Sequence, residues 1–305
     1  MSNYTPTECY LNNLAPTGRK AVISLIKSVK NTLLLNDKLT ALPLHKLSFE
    51  QLSTLKQSLV LNNKSARTIQ LTFQVIKAIA KTAFLMNLIE QQELEKFNVL
   101  KLPHIEPSLK GKSLTATQLK SILKQPYNTP PSTINTRDIA LLALMAGAGL
   151  RRSEVSALKL SDFSMADQLV VIHKGKGNRT RTQYLPVWVL AYLSSWLTVR
   201  GKNDGPLFCV VLNGKVIQGR GVSPETIYSV VTARTNHVLG EKFTPHDMRR
   251  TYISSLLANG VDISTVSKLA GHKSIITTQI YDKRGADSLK RAVNTLSVNG
   301  CGDYE

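Results

Sequence analysis

Apolar residues recur at helical spacing through the first hundred residues of this 305-residue chain, and no alternating stretch typical of a strand interrupts them. Apolar side chains three and four positions apart predict helices over residues 21–35, 65–89 and 91–97. Ser48, followed by Gln51, forms a capping-box pattern that predicts the start of another helix. The N-terminal part of the chain is therefore expected to fold as a small helical domain.

A segment rich in proline, glycine and basic residues separates this helical part from the rest of the chain. Residues 102–107 read Leu-Pro-His-Ile-Glu-Pro, and residues 110–112 read Lys-Gly-Lys. Such breakers favour an extended, exposed joint. We therefore expect a helical N-terminal domain over residues 1–100, a linker over residues 101–113 and a second domain over residues 114–305.

The second domain combines helical spacing with one alternating segment. A capping-box pattern at Thr115 and Gln118 opens it, and residues 168–173 and 180–185 have the alternation of a β-hairpin. Helical patterns cover residues 137–145, 153–158, 186–199, 224–237, 245–259, 262–270, 274–281 and 286–296. The fold class that these patterns predict is mainly α with a small β-sheet (α+β).

The chain carries a large excess of positive charge, since 39 Lys and Arg oppose 20 Asp and Glu for a net charge of +19. Both parts share it: residues 1–112 contain 15 basic and 7 acidic side chains, and the remainder contains 24 and 13. This spread excludes a basic tail on a neutral enzyme and indicates a polyanionic partner, most simply nucleic acid. Aromatic residues make up 6% and are not interleaved with basic ones, which disfavours a single-strand or RNA-binding module.

No pattern points to a metal, a cofactor or a membrane. The three cysteines, Cys9, Cys209 and Cys301, lie far apart, the six histidines lack ligand spacing, and no acidic cluster suits magnesium. The longest apolar run, residues 139–150, falls short of the roughly 20 residues that a membrane span needs, so it predicts a core helix. The first residues lack the plan of a signal peptide. We expect a cytoplasmic protein that needs no cofactor and no metal.

Five residues of the second domain form a series with the groups needed to cut a phosphodiester without a metal. Arg151 stands in Gly-Leu-Arg-Arg-Ser-Glu, and His246 and Arg249 stand in Pro-His-Asp-Met-Arg-Arg. His272 follows in Leu-Ala-Gly-His, and Tyr281 comes 9 residues later. A spacing of three puts His246 and Arg249 on one helical face. The helix-turn-helix pattern that follows can return His272 and Tyr281 toward them.

Each of these residue types meets one demand of such a cleavage. A tyrosine that attacks phosphorus conserves the bond energy as a phosphotyrosine, so the strand can later be rejoined. Arginine neutralises the pentacoordinate transition state, because its guanidinium binds two phosphate oxygens and keeps its charge. The leaving oxygen needs a proton from a general acid. The series therefore indicates metal-independent cleavage and rejoining of strands.

In order and spacing, the series resembles the tyrosine recombinase (phage integrase) family from the start of the second domain to Tyr281. The resemblance implies a core-binding helical domain, a catalytic domain, and site-specific recombination of double-stranded DNA through a 3′-phosphotyrosine. It assigns Arg151 and Arg249 to the scissile phosphate and Tyr281 to nucleophilic attack. His246 is implied as the general base or a hydrogen-bond partner, and His272 as support for the phosphate.

The family's general acid is a lysine in a hairpin that usually reads Gly-Lys-Gly, and residues 173–179 here read His-Lys-Gly-Lys-Gly-Asn-Arg. Lys176 fits this position best and Lys174 is the alternative, in a hairpin about one residue longer than the common form. The segment lacks the spacing of a nucleotide-binding loop, which excludes that function. Glu154 is expected to orient Arg151; the alternative is a first-turn glutamate favoured by the helix dipole.

The residues around Tyr281 bear on sub-family and assembly. Lys283 and Arg284 are more typical of mobile-element integrases than of Xer-type recombinases, and Arg250 replaces the histidine of many relatives. Residues 286–296 have apolar side chains at helical spacing, and the resemblance implies that they dock on a neighbouring subunit of a homo-tetramer on two DNA sites. The alternative is a helix packed on its own domain. Accessory DNA-bending or directionality proteins are possible further partners.

Two other functions stay open at this point. Residues 262–281 also fit a helix-turn-helix, and a non-catalytic DNA-binding regulator of that kind would need neither Tyr281 nor Arg151. A type IB topoisomerase shares the chemistry, but it acts as a monomer with less sequence preference. The integrase-like spacing and the small helical N-terminal domain favour a recombinase that acts on nucleoid DNA in the bacterial cytoplasm.

Overall fold

The computed structural model of this chain describes residues 4–104, 111–124, 132–173, 180–272 and 274–282, together with positions 290, 293 and 294. The chain divides into two compact units, Met1–Ser108 and Leu109–Glu305. Within the described ranges, every helix is too short or too polar to cross a lipid bilayer.

The regular elements of the N-terminal unit are helices. They are α1 (Pro6–Asn12), α2 (Pro16–Thr32), α3 (Phe49–Leu61), α4 (Ala66–Leu85) and α5 (Gln91–Val99). The predicted capping box opens α3: the Gln51 backbone nitrogen donates to the Ser48 hydroxyl at 3.1 Å, and the Ser48 backbone nitrogen donates to the Gln51 side chain at 2.9 Å. Helix α4 is the centre of the core, where Ile76 and Ile79 are fully buried.

Two helices of this unit differ from the prediction. Helix α2 begins at Pro16, ahead of residue 21, because a proline at the first helical position costs no hydrogen bond and has a helical φ. Helix α1 was not predicted. It starts after Thr5, whose hydroxyl accepts a hydrogen bond from the Glu8 backbone nitrogen at 3.2 Å. Its seven residues are too few to show a periodic pattern.

The C-terminal unit surrounds small antiparallel sheets with helices. Its helices are α6 (Ala116–Lys124), α7 (Thr133–Ala148), α8 (Arg152–Ala157), α9 (Val187–Arg200), α10 (Pro224–Leu239), α11 (Pro245–Ala258), α12 (Ile263–Ala270) and α13 (Ile276–Gln279). One sheet has the order β1 (Phe163–Ser164), β2 (Leu169–Ile172) and β3 (Arg181–Tyr184); β4 (Cys209–Leu212) and β5 (Lys215–Gly221) form the other. The predicted class, mainly α with a small β-sheet, is confirmed.

The predicted hairpin is present as the antiparallel pair β2–β3, in which Leu169 faces Tyr184 and Ile172 faces Arg181. Its connecting residues 174–179 lie outside the described residues, and so does the predicted helix 286–296 apart from three positions. The hairpin β4–β5 was not predicted.

Helix α7 forms the centre of the C-terminal core and delivers the chain to the site. Its residues from Ala140 to Met145 are completely buried, as expected of a core helix, and α9 and α11 pack against it. The helix ends at Ala148 because Gly149 adopts a left-handed φ of 61°. Arg151 follows two residues later, at the start of α8. Helix α11, which packs against α7, carries His246 and Arg249.

Candidate active site

Three of the predicted residues, Arg151, His246 and Arg249, line one cleft of the C-terminal unit. The cleft has a volume of about 450 Å³, and its lining consists of Arg151, Arg152, Ser153, Tyr228, Thr244, Pro245, His246 and Arg249. The charged side chains in this lining are arginines. A cleft with fixed positive charge and hydroxyl groups suits a phosphodiester.

Arg151 is anchored at its base and accessible at its tip. Its backbone nitrogen donates to Glu154 Oε2 at 2.9 Å, and its Nη1 donates to Glu154 Oε1 at 2.9 Å. The Nη2 atom lies 3.5 Å from the Gly271 carbonyl oxygen. The side chain is still 43% exposed, so a ligand in the cleft can reach the guanidinium.

Arg249 is buried and joins two helix ends. Its Nη1 donates to the Gly149 carbonyl oxygen at 2.7 Å, and its Nη2 donates to the carbonyl oxygen of Ala270. Burial, and then the charge of Arg151, lower the pKa of Arg249 to about 10. The guanidinium is therefore still charged at neutral pH, and it is held where α7 and α12 end.

The hydroxyl of Tyr281 lies 3.4 Å from His246 Nε2. Tyr281 is buried in a small apolar cluster with α11 and α12. Burial, and then the charge of Arg250, lower the pKa of His246 below its ordinary value. A neutral imidazole results at neutral pH, and its Nε2 can accept the proton of the tyrosine hydroxyl.

His272 lies beside the same tyrosine. Its ring stacks on the ring of Tyr281 with centroids 6.2 Å apart, and its Nδ1 lies 2.8 Å from the Thr278 hydroxyl. Burial, followed by the charges of Arg249 and Arg151, lowers the pKa of His272 to about 4. This histidine is therefore a neutral hydrogen-bonding group at neutral pH.

Two arginines of the site were missed as functional residues by sequence reasoning. Arg181 of β3 donates from Nη1 and Nη2 to the two carboxylate oxygens of Glu154, at 2.8 and 2.9 Å. Burial opposes ionisation of Glu154, but the hydrogen bonds from Arg181 and Arg151 outweigh it and hold the pKa of this carboxyl at about 2. No short motif links Arg181 to a partner 27 residues away, so the pair could not be recognised from the sequence.

Arg250 is the second missed residue, since the sequence marked it only as a departure from the usual histidine. Its guanidinium lies over the ring of Tyr281, 4.8 Å from the centroid. A cation over an aromatic face is attracted by the ring quadrupole. The backbone of Gly111 lies so close that an added Cβ would overlap the Arg250 side chain. This contact helps to hold the ring of Tyr281 in position.

Lys176 and its alternative Lys174 lie outside the described residues, so the general acid stays a prediction. The described end of their hairpin is held by His173, whose Nε2 lies 2.9 Å from Asp162 Oδ1. Among the residues that the structure describes, no group of three or more His, Cys, Asp or Glu side chains could hold a metal ion.

The structure thus brings five of the six predicted catalytic residues into one site. A tyrosine hydroxyl adjoins a neutral histidine, and two arginines face the same cleft. This arrangement can bind a phosphodiester, neutralise added negative charge and take a proton from the nucleophile.

Comparison with known proteins gives relatives that are named tyrosine recombinases. Residues 112–286 match the family described as the phage integrase family. The tyrosine recombinase XerA of Pyrococcus furiosus is 32% identical over 234 residues, which cover 77% of this chain and 76% of the relative.

Solved structures give the same fold. The Tn1549 transposon integrase in complex with a circular intermediate DNA has a TM-score of 0.66 and 17% identity, with 96% of this chain and 100% of that chain covered. The XerH site-specific recombinase bound to a palindromic difH substrate has a TM-score of 0.66 and 21% identity, with 92% and 80% covered.

Proposed function

Because the chain belongs to the phage integrase family, we propose that it is a site-specific recombinase that cleaves and rejoins double-stranded DNA through a covalent bond to Tyr281. One observation carries the proposal: the Tyr281 hydroxyl lies beside His246 Nε2 while Arg151 and Arg249 face the same cleft. The names of the relatives, tyrosine recombinases, and the DNA bound in the similar structures support the same function.

The nucleophile is the Tyr281 oxygen, which bonds to the scissile phosphorus as the bond from phosphorus to the 5′-oxygen breaks. The lowered pKa keeps the His246 imidazole neutral, and in the tautomer with the proton on Nδ1 it takes the tyrosine proton on Nε2. The products are a 3′-phosphotyrosine and a 5′-hydroxyl. In the second step, a 5′-hydroxyl of the partner strand attacks the phosphotyrosine and releases Tyr281, so the number of phosphodiester bonds is conserved.

Arg151 and Arg249 neutralise the charge that builds on the non-bridging oxygens. Both are held by hydrogen bonds before DNA arrives, so little reorganisation is needed in the transition state. His272 supports the phosphate as a neutral hydrogen-bonding group. Lys176, with Lys174 as the alternative, protonates the leaving 5′-oxygen.

We assign DNA binding to both parts of the chain, since both carry an excess of positive charge. Residues 1–100 form the core-binding domain, residues 101–113 the linker, and residues 114–305 the catalytic domain. Within the catalytic domain, Arg152 and Tyr228 extend the cleft past the two arginines, and the Arg152 guanidinium lies 5.9 Å from the Tyr228 ring centroid. These side chains suit DNA backbone next to the scissile phosphate.

The active assembly is a homo-tetramer on two DNA sites. Residues 286–296 of one subunit dock on the next, and the C-terminal unit offers an apolar cavity of about 660 Å³ for them. Its lining includes Leu119, Trp188, Leu256 and Leu269. The apolar residues at helical spacing in 286–296 are complementary to such a surface.

The test is covalent trapping. The protein first selects a duplex from a random-sequence pool, and nicked versions of that duplex are then incubated with the wild type, Tyr281→Phe and Tyr4→Phe. We expect a detergent-resistant, protease-sensitive adduct from the wild type and from Tyr4→Phe, whose exposed side chain lies outside the linings of the cleft and the apolar cavity, and none from Tyr281→Phe. Selective binding without any adduct would instead support a DNA-binding regulator. Relaxation of unrelated supercoiled plasmids by a monomer would support a topoisomerase.

A further inference from the structure

Arg181 is a cation near the proposed phosphate site to which the chemistry above gives no task. Its two terminal nitrogens lie 2.8 and 2.9 Å from the two oxygens of Glu154. The two side chains are 14% and 11% exposed, so this pair is largely shielded from water. A two-point contact of this kind fixes the orientation of the carboxylate as well as its position.

Each Glu154 oxygen also accepts a hydrogen bond from Arg151. Oε1 binds the Arg151 guanidinium and Oε2 binds its backbone nitrogen, both at 2.9 Å. If Arg181 were absent, the carboxylate would be balanced by Arg151 alone, and that neutral pair would attract a phosphate weakly. With Arg181 present, the two arginines and Glu154 together carry one net positive charge, which attracts a phosphate to Arg151.

Arg181 also contacts the turn that leads to His272. A Cβ added to Gly271 would lie 3.1 Å from Arg181 Cζ, so the guanidinium packs directly on this backbone. The Gly271 carbonyl oxygen in turn lies 3.5 Å from Arg151 Nη2. One largely shielded side chain of β3 therefore links α8 with the end of α12.

We propose that Arg181 is a positioning residue for DNA cleavage: it holds Glu154 so that Arg151 presents a charged, oriented guanidinium to the scissile phosphate. The inference rests on the proposed function. Arg181 acts through Arg151 and does not itself contact the DNA.

The experiment compares Arg181→Met with Arg220→Met, which removes an exposed arginine of β5 outside the cleft lining. The probe is the selected nicked duplex in two forms, with a normal scissile phosphate and with a methylphosphonate at that position. On the normal duplex we expect Arg181→Met to form the adduct about 100-fold more slowly, with DNA affinity within about threefold, whereas Arg220→Met stays within about threefold in both. On the methylphosphonate duplex the loss should shrink below about tenfold, because this uncharged group leaves less negative charge for Arg151 to neutralise.

A purely structural role for Arg181 would slow adduct formation equally on both duplexes, and that result would overturn the inference. So would an Arg181→Met rate within about threefold of the wild type. If this variant unfolds because Glu154 loses its two-point partner, Arg181→Met combined with Glu154→Gln removes the carboxylate charge. In the double variant Arg151 keeps its charge but loses the carboxylate that orients it, so the protein should fold and stay about 10-fold slow; a wild-type rate would refute the inference. No adduct from the wild type would instead reject the proposed function on which it rests.

Discussion

At the scale of single residues, the histidines of the site are neutral because they are partly buried and lie near arginines. The pKa of His272 is lowered to about 4 by burial and by the charges of Arg249 and Arg151. In the proposed reaction the same arginines bind the phosphate, so one set of charges serves two purposes. It attracts the substrate, and it leaves imidazole nitrogens free to exchange hydrogen bonds with the nucleophile and the phosphate.

This tuning predicts an acid-sensitive stability that depends on His272. Its pKa is about 4 in the folded chain against an ordinary 6.5, so between these values the unfolded chain binds more protons and stability falls as the pH drops. Between pH 7 and pH 5, we expect the Tm of the wild type to fall about 2 °C further than the Tm of His272→Gln. Thermal melts without DNA at each pH measure both values, and an equal fall in Tm for the two proteins would contradict the prediction. The window lies above the ordinary pKa of carboxyls such as Glu154, which is 4.5.

The residues that meet in the site, and the contact of Glu154 with Arg151, could be predicted from sequence, but the contacts of Arg181 and Arg250 could not. Arg151, His246, Arg249, His272 and Tyr281 belong to a series whose order and spacing are visible along the chain. Arg181 is recognisable only once β3 lies beside α8, because nothing in its neighbourhood identifies its partner.

At the scale of elements, helix ends position the residues of the proposed active site. Helices α7 and α12 are each followed by a glycine, Gly149 and Gly271, with a left-handed φ near 60°. Arg249 donates to the carbonyl oxygens of Gly149 and Ala270, so it uses backbone acceptors that a helix end leaves available. The turn after α7 then leads directly to Arg151.

The turn after α7 should therefore tolerate no side chain. At Gly149, alanine would meet the left-handed φ and would also overlap the ring of Tyr252. Gly240 ends α10 with a φ of 68° and has nothing within 4 Å of an added Cβ, which makes it the matched control. We expect Gly149→Ala to lower the free energy of unfolding by about 2–4 kcal/mol and Gly240→Ala by about 1 kcal/mol. Denaturant titration measures the free energy of unfolding of both variants. Equal losses would show that overlap with Tyr252 does not destabilise Gly149→Ala.

Element boundaries followed from sequence where capping chemistry marks them. The pairs Ser48 with Gln51 and Thr115 with Gln118 make the predicted reciprocal hydrogen bonds. The hairpin β4–β5 escaped prediction because β5 contains two glycines and mostly polar residues, so it lacks the alternation that identifies a strand. Its pairing with β4 comes from the fold around it rather than from its own composition.

At the scale of the whole molecule, the net charge of +19 governs how the chain meets DNA. Each neutralised phosphate releases counterions and contributes roughly −0.9 to the slope of log affinity against log salt concentration. We expect a slope of about −5 or steeper for the selected duplex. Arg152→Gln should make this slope less steep by about 1. Arg220→Gln removes the same charge outside the cleft lining and serves as the control. Affinity that stays constant from low to moderate salt would contradict binding of DNA by this charge.

In the proposed tetramer, residues 286–296 of the C-terminal segment join the subunits. Deleting residues 286–305 should abolish higher-order complexes on paired sites and strand exchange, while duplex binding persists, because the cleft and the basic surfaces are intact. Deleting only residues 297–305 is the matched control, since it keeps the apolar side chains at helical spacing. Gel shifts with one and two duplexes, together with a recombination assay, distinguish the outcomes. Recombination by the longer deletion would show that residues 286–296 pack on their own subunit and that other surfaces join the protomers.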